Sequence, residues 1–188
     1  MNTCNTKKIA SRGFTLIESL VAIFIFSLSI VGLMTITSKG IAGTNAAVSQ
    51  VTGQFLAQEG VEVARSMRDD ELIVTNGSSF AKKLVDVCER GCMVDSTGPR
   101  PELVAQSNVC NFGNANLCPV YINTSGRFND GSGQDATQFY RKINVRLLPS
   151  APPYDGVYIV SSVGWRQGGI DRVIELDTIV TNWLTTRQ

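Results

Sequence analysis

A single carboxylate at the edge of a long apolar segment is the side chain of this 188-residue sequence best placed to do chemistry. Glu18 is the last residue of the run Arg12-Gly13-Phe14-Thr15-Leu16-Ile17-Glu18. The segment that follows, Ser19 to Ser38, is about 20 residues long and carries no charge. As a helix, that segment is close to the thickness of a membrane's hydrocarbon core. A carboxylate there is expensive, so Glu18 is predicted to be a functional residue.

The position of the basic residues indicates where the chain is cut. Lys7, Lys8 and Arg12 lead directly to Gly13-Phe14, ahead of the apolar segment. An ordinary secretory signal is cleaved after its apolar segment, at a site marked by small residues. A cut between Gly13 and Phe14 would instead leave the apolar segment on the mature protein.

The motif GFTLIE in front of a membrane-length segment resembles the class III signal of type IV prepilins and of their relatives, the type II secretion pseudopilins and competence pilins. The close resemblance covers about residues 7–68. It implies that a membrane-embedded prepilin peptidase cleaves after Gly13 and N-methylates Phe14. It also implies that Glu18 is the carboxylate that directs assembly, neutralised by the amino terminus of a neighbouring subunit. An ammonium group nearby removes most of the cost of a buried carboxylate, so this pairing is physically reasonable.

The fold that the resemblance implies is α+β, with a long N-terminal helix packed on a C-terminal antiparallel β-sheet. The predicted parts are a leader (1–13), a transmembrane helix half (14–38), an amphipathic helix half (39–70) and a β-rich domain (71–188). The helix is predicted to stop near Asp69–Asp70, before Asn76-Gly77. In its second half, apolar residues recur at helical spacing and are predicted to pack on the chain's own globular domain; they are Val48, Val51, Phe55, Val63 and Met67.

From about residue 80 the sequence predicts short strands separated by turns, forming an antiparallel meander of three to five strands. Alternation of apolar and polar residues is clearest in 139–148, where Ile143, Val145 and Leu147 are expected to face inward. Gln167-Gly168-Gly169 is a hairpin signal between the last two strands. The predicted strands are Cys92–Ser96, Val120–Asn123, Phe139–Leu148, Val157–Arg166 and Val173–Trp183.

Four of the five cysteines lie after the leader and suggest disulfides in an oxidising compartment, while Cys4 would be discarded. Cys88, Cys92, Cys110 and Cys118 allow three pairings. We favour Cys88–Cys92 with Cys110–Cys118, because short loops close at low entropic cost. Zinc is the alternative, but the spacing fits poorly and the sequence contains no histidine. The loop-rich region 88–118 is a candidate for an exposed variable surface, as the resemblance implies.

A second loop, residues 129–135, carries oxygen ligands of the kind that calcium uses. Asp130 and Asp135 are weak calcium candidates, since the run lacks the full alternation and the final glutamate of an EF-hand loop. A solvated turn is the favoured interpretation. No cofactor is predicted.

Charge and span number predict location and partners. Three of the 17 Lys and Arg residues lie in the leader, so the mature chain is nearly neutral and no nucleic-acid partner is predicted. Positive charge before the span predicts a cytoplasmic leader, in a single-pass protein of the inner (cytoplasmic) membrane. The resemblance adds prepilin peptidase/methyltransferase, other pilin subunits in a helical filament, an inner-membrane assembly platform and lipid as partners. The pilus, extracellular or periplasmic, is the implied final location.

The chain is predicted not to be an enzyme. The sequence has no histidine, which excludes Ser–His and Cys–His pairs and most metal hydrolase sites. It also lacks nucleophile-elbow, Walker and dinucleotide motifs. Glu175 and Asp177 share one face of a strand, as a carboxylate pair would, but are predicted to be its solvent face.

Three functions are compatible with these residues. The first is a minor pilin of a type IV pilus. The second is a type II secretion pseudopilin, which the neighbouring genes would distinguish from a pilin. The third is a membrane-tethered binding protein that never polymerises; a Glu18→Ala or Gly13→Ala variant that performs normally would support it.

Overall fold

The computed structural model describes residues 13–75, 80–88, 90–105, 118–130, 135–148 and 156–182. Contacts divide the chain into two compact units, residues 1–45 and 46–188, which are described separately. The elements are two helices and seven strands: α1 Leu16–Thr75, α2 Phe80–Val87, β1 Cys92–Asp95, β2 Glu102–Ala105, β3 Pro119–Ile122, β4 Phe128–Asp130, β5 Asp135–Leu147, β6 Gly156–Gln167 and β7 Ile170–Thr181.

In the first unit, the described residues form the start of α1 and carry exposed apolar side chains throughout. The mean hydropathy of the most apolar 18-residue window of α1 is 2.4, and α1 is the one described helix long and apolar enough to cross a membrane. Hydroxyl groups within this stretch donate to the carbonyl oxygen four residues earlier, at 2.8–2.9 Å. Because these donors are satisfied inside the helix, they add little cost in lipid; they belong to Ser27, Ser29, Thr35 and Thr37.

In the second unit, α1 packs on an antiparallel sheet, which confirms the predicted fold class. β5 is the central strand: β6 pairs along one of its edges, and β3 and β1 share the other. β7 pairs with β6, β2 with β1, and β4 with β3. The β6–β7 hairpin turns at Gly168 and Gly169, both with positive φ (59° and 80°), as a two-residue type I′ turn requires.

Several predicted boundaries were wrong. α1 continues to Thr75, about a turn past the predicted stop, and residues 80–87 form α2 rather than strand. Eight residues give too few turns for helical periodicity to stand out, although Phe80, Ala81 and Leu84 do share a buried side. The described sheet has seven strands instead of three to five, since β2 and β4 lie in the region read as loop. Leu147 is exposed, at the end of β5.

The face of α1 that packs on the sheet matches the prediction at Val63 and Met67 and differs from it nearer the start of the second unit. Val48, Val51 and Phe55 are 59%, 50% and 66% exposed, whereas Val63 is buried and Met67 partly buried. The packed face instead carries a seam of small residues, defined here as Gly53, Ala57, Gly60 and Ala64. A Cβ atom added at Gly60 would lie 2.7 Å from Ser161 Oγ, and one at Gly53 would lie 2.9 Å from the Trp165 ring. The sheet therefore approaches the helix backbone too closely for large side chains.

Candidate functional site

The predicted cleavage residues lie in exposed, non-helical chain immediately before α1. Gly13 and Phe14 are exposed, Phe14 by 83%, and the helix begins two residues later, at Leu16. Thr15 caps it: its side-chain oxygen accepts from the Glu18 backbone N–H at 3.4 Å. Threonine followed three residues later by glutamate is the capping-box pattern, a signal within GFTLIE that sequence reasoning missed.

Glu18 lies in the first turn of α1 and is exposed. Negative charge at a helix N-terminus is favoured by the helix dipole and the free backbone N–H groups. Within the described part of the chain, Glu18 forms no ion pair, so its carboxylate stands free at the start of an apolar helix. This arrangement suits a cation brought by another molecule.

Beyond the apolar stretch, α1 also keeps an uncovered apolar stripe, defined as Val48, Val51 and Phe55. These residues are spaced three and four apart, so they lie along one side of the helix. Their exposure shows that the chain's own sheet leaves this side free. An exposed apolar stripe on a helix is a surface that another helix can cover.

The cysteines at the start of β1 are joined. Cys88, just after α2, forms a disulfide with Cys92, with 4.8 Å between the Cα atoms, and both residues are buried. Cys118 is also disulfide-bonded. Cys110 lies outside the described residues, so the Cys110–Cys118 pairing stays a prediction. The prediction of an exposed surface over 88–118 is wrong for Cys92, Val94 and Leu103, which belong to the core.

Asp130 is not part of a solvated turn. Its side chain is fully buried in β4, and both of its oxygens accept from the Arg141 Nε, at 3.2 Å and 2.9 Å. The carboxylate also accepts from the Val94 backbone N–H at 2.9 Å. The other calcium candidate, Asp135, is exposed at the start of β5. Among the described residues, no cluster of three or more His, Cys, Asp or Glu side chains could hold a metal ion.

Arg141 links Asp130 to α1. The guanidinium is fully buried and donates to the Leu56 carbonyl oxygen at 3.0 Å and to Glu59 Oε2 at 2.6 Å. Burial alone lowers the pKa of Arg141, but the charges and hydrogen bonds of Asp130, and then of Glu59, outweigh it and raise that pKa. The group is therefore a charged clamp between helix and sheet, which sequence reasoning missed because its partners are separated along the chain.

Glu175 and Asp177 are exposed on β7, on the face of the sheet opposite α1, as predicted. Ser162 Oγ donates to Glu175 at 3.1 Å, and the Tyr158 hydroxyl donates to Asp177 at 2.9 Å. The hydrogen bond from the Tyr158 hydroxyl to the Asp177 carboxylate holds the pKa of Tyr158 above its ordinary value. Each carboxylate is thus bound to a hydroxyl group of β6 on an open face of the sheet.

The comparison with protein families matches the prokaryotic N-terminal methylation motif to residues 9–34. Comparisons with curated proteins and with solved structures gave no significant match. The matched range contains the junction Gly13-Phe14, the capping residue Thr15 and Glu18, and it runs into the apolar part of α1. The chain therefore carries the class III signal of type IV prepilins and pseudopilins. This signal supports the interpretation of the chain as a type IV pilin-like or pseudopilin protein.

Proposed function

We propose that this chain is a minor pilin subunit of a type IV pilus, cleaved after Gly13, N-methylated on Phe14 and assembled through α1 into a helical filament. The observation that carries the proposal is the methylation motif standing directly before a helix that is long and apolar enough to span a membrane. Proteins with this motif are structural rather than enzymatic, so the chain acts as a substrate of its peptidase/methyltransferase.

Cleavage creates the cation that Glu18 needs. Before cleavage the nitrogen of Phe14 is a peptide nitrogen; afterwards it is a charged amine at the new N-terminus. Its arrival beside the Glu18 of a neighbouring subunit neutralises both charges in an apolar environment, where an unpaired carboxylate is costly. Moving the apolar helix from lipid into a bundle changes its apolar exposure little, so this pair and close packing must set the register.

The stripe Val48, Val51 and Phe55 extends the same logic beyond the spanning stretch. These side chains are exposed on α1 although the rest of the second unit has a well-packed core. Covering them removes apolar surface from water, which favours association outside the lipid. The α1 helix of another subunit is the partner that this proposal assigns to the stripe.

The remaining partners follow from the same pathway. The peptidase acts in the inner membrane, where lipid surrounds the apolar stretch, and an inner-membrane assembly platform receives the processed subunit. The growing filament then draws the apolar stretch out of the membrane, and the second unit, which the single-pass topology already places on the far side, stands in the periplasm or the extracellular space.

Mass spectrometry of the mature protein tests this function. We expect an N-methylated Phe14 as the first residue, and no processing of Gly13→Ala. Glu18→Ala is expected to be cleaved and methylated but to be lost from the filament fraction, whereas Glu62→Ala, which removes an exposed carboxylate elsewhere on α1, assembles normally. A mature protein that begins after Ala46, with no apolar stem, would refute the proposal.

A type II secretion pseudopilin is the second candidate, because the same motif and processing serve that system. Loss of secreted enzymes, rather than loss of surface pili, on deletion of the gene would favour the pseudopilin. Normal function of Glu18→Ala together with normal processing would point to a membrane-tethered protein that does not polymerise.

A further inference from the structure

The face of the sheet opposite α1, called here the outer face, sorts its charges by strand. On β5 it carries Lys142 and Arg146, and on β7 it carries Glu175 and Asp177. At the hairpin end of the same face, Arg166 of β6 is already paired with Asp171 of β7 at 3.0 Å. The strand register places Lys142 opposite Ser162, and Ser162 opposite Glu175. A basic row on β5 and an acidic row on β7 therefore flank β6, the strand between them.

The two rows do not neutralise each other within one chain. Strands lie about 4.8 Å apart, so side chains on β5 and β7 start about 10 Å from each other. In the described part of the structure, neither Lys142 nor Arg146 forms an ion pair. The two acids accept hydrogen bonds from neutral hydroxyl groups and keep further acceptor capacity.

We propose that the outer face binds a second copy of this chain, face to face, about a two-fold axis parallel to β6. Such an axis places β5 of each copy over β7 of the other, because it exchanges the two sides of β6. Lys142 then meets Glu175 of the second copy at the same level, and Arg146 lies two residues along the strand from the level of Asp177. The contact is isologous, so each charge pair forms twice.

Other symmetric arrangements bring like charges together. A two-fold axis across the strands places β5 over β5, and thus Lys142 and Arg146 against the same basic row. Pairing of two β7 edges, antiparallel and centred on Leu176, sets Glu175 opposite Asp177, which is destabilising. The acidic residues of the edge strand β7 therefore disfavour edge-to-edge pairing. The outer face, in contrast, is complementary to itself in charge.

Apolar groups complete the surface. Val173 and Ile179 on β7 are 48% and 58% exposed, and Tyr158 and Val160 lie partly exposed between the charged rows. Two aligned sheets pack with their faces about 10 Å apart. These side chains would be covered at that distance, while the charges fix the orientation.

A charge-swap series in the full chain, in detergent, tests the proposal by sedimentation over a range of concentrations. Lys142→Glu and Glu175→Lys are each expected to weaken self-association about tenfold, because each reversal turns two attractive pairs into repulsive ones. The double variant Lys142→Glu/Glu175→Lys is expected to associate like wild type. Added salt should weaken the wild-type contact.

Lys82→Glu is the matched control, since Lys82 is exposed on α2, away from the outer face. Association through α1 is the same in all these proteins, so differences among them report on the outer face and not on filament assembly. Single reversals that behave like Lys82→Glu, a double variant as weak as the singles, or a wild-type chain that stays monomeric would each overturn the proposal.

Discussion

Replacing Arg141 by methionine should be among the most damaging single changes in the second unit. The guanidinium is fully buried and holds its own strand, β5, to β4 through Asp130 and to α1 through the Leu56 carbonyl and Glu59. Methionine fills similar volume but donates nothing. The variant therefore leaves the fully buried Asp130 carboxylate with the Val94 backbone N–H as its remaining partner among the described residues.

Removing one member of a buried ion pair costs about 3–5 kcal/mol, because the other charge stays buried and uncompensated. Against a typical total stability of about 5–15 kcal/mol, that loss is severe. Changing Asp130 to asparagine in the same chain removes the stranded charge and keeps an acceptor for the Val94 N–H. Arg141→Met/Asp130→Asn is therefore expected to recover about 2 kcal/mol relative to Arg141→Met.

Urea unfolding of the full chain in a mild detergent, followed by tryptophan fluorescence, measures these changes. Trp165 is a suitable probe because it is buried and its ring lies 5.9 Å from that of Phe139. Arg127→Met is the matched control, since Arg127 is exposed. If Arg141→Met unfolds at the same urea concentration as Arg127→Met, or if the double variant is less stable than Arg141→Met, the clamp does not hold the helix to the sheet.

Three further predictions rest on local geometry. Gly60→Ala should lower the free energy of unfolding by about 1–3 kcal/mol through overpacking, whereas Gly43→Ala, in open space, should leave it unchanged. Thermal unfolding of the two variants tests this difference. Cys88→Ser, which breaks a four-residue loop closure, should cost about 2 kcal/mol in the same assay, and an unchanged transition would contradict it. The Thr97 hydroxyl, and then its backbone N–H, lower the pKa of Asp95 from its ordinary 3.8. The resulting stabilisation of the folded state is fully present at pH above the ordinary Asp95 pKa and is lost as the pH falls through the lowered pKa. Thr97→Ala should therefore raise the Asp95 pKa in an NMR titration and reduce the stability that the protein loses in acid.

Patterns that are local in sequence predicted the structure well. The hairpin at Gly168-Gly169 forms where two glycines allow positive φ, and the alternation in β7 places Glu175 and Asp177 outward. The start of α1 is also set by residues within one turn of Thr15, a signal that the sequence contains although it was missed. In each case the deciding interactions lie within a few residues, so sequence alone contains them.

Sequence patterns gave wrong predictions where the packing depends on a segment far away in the chain. Val48, Val51 and Phe55 share a helical side and are apolar, which satisfies the rule for a packed face, yet they are exposed. The packed side contains Gly53 and Gly60, which hydrophobicity does not mark. Only the closeness of the sheet, with Ile143 and Trp165 against the helix backbone, explains why glycine is needed there.

The sequence by itself determined the processing signal, the apolar helix and the α+β class, because each depends on near neighbours or on average hydropathy. Tertiary structure alone decided which side of α1 is covered, that Asp130 is a buried partner of Arg141 rather than a loop ligand, and that basic and acidic rows flank β6. These features depend on which strands lie side by side. The order of the strands is fixed by packing between segments that are distant in sequence. The periodicity of a single segment carries no information about that packing.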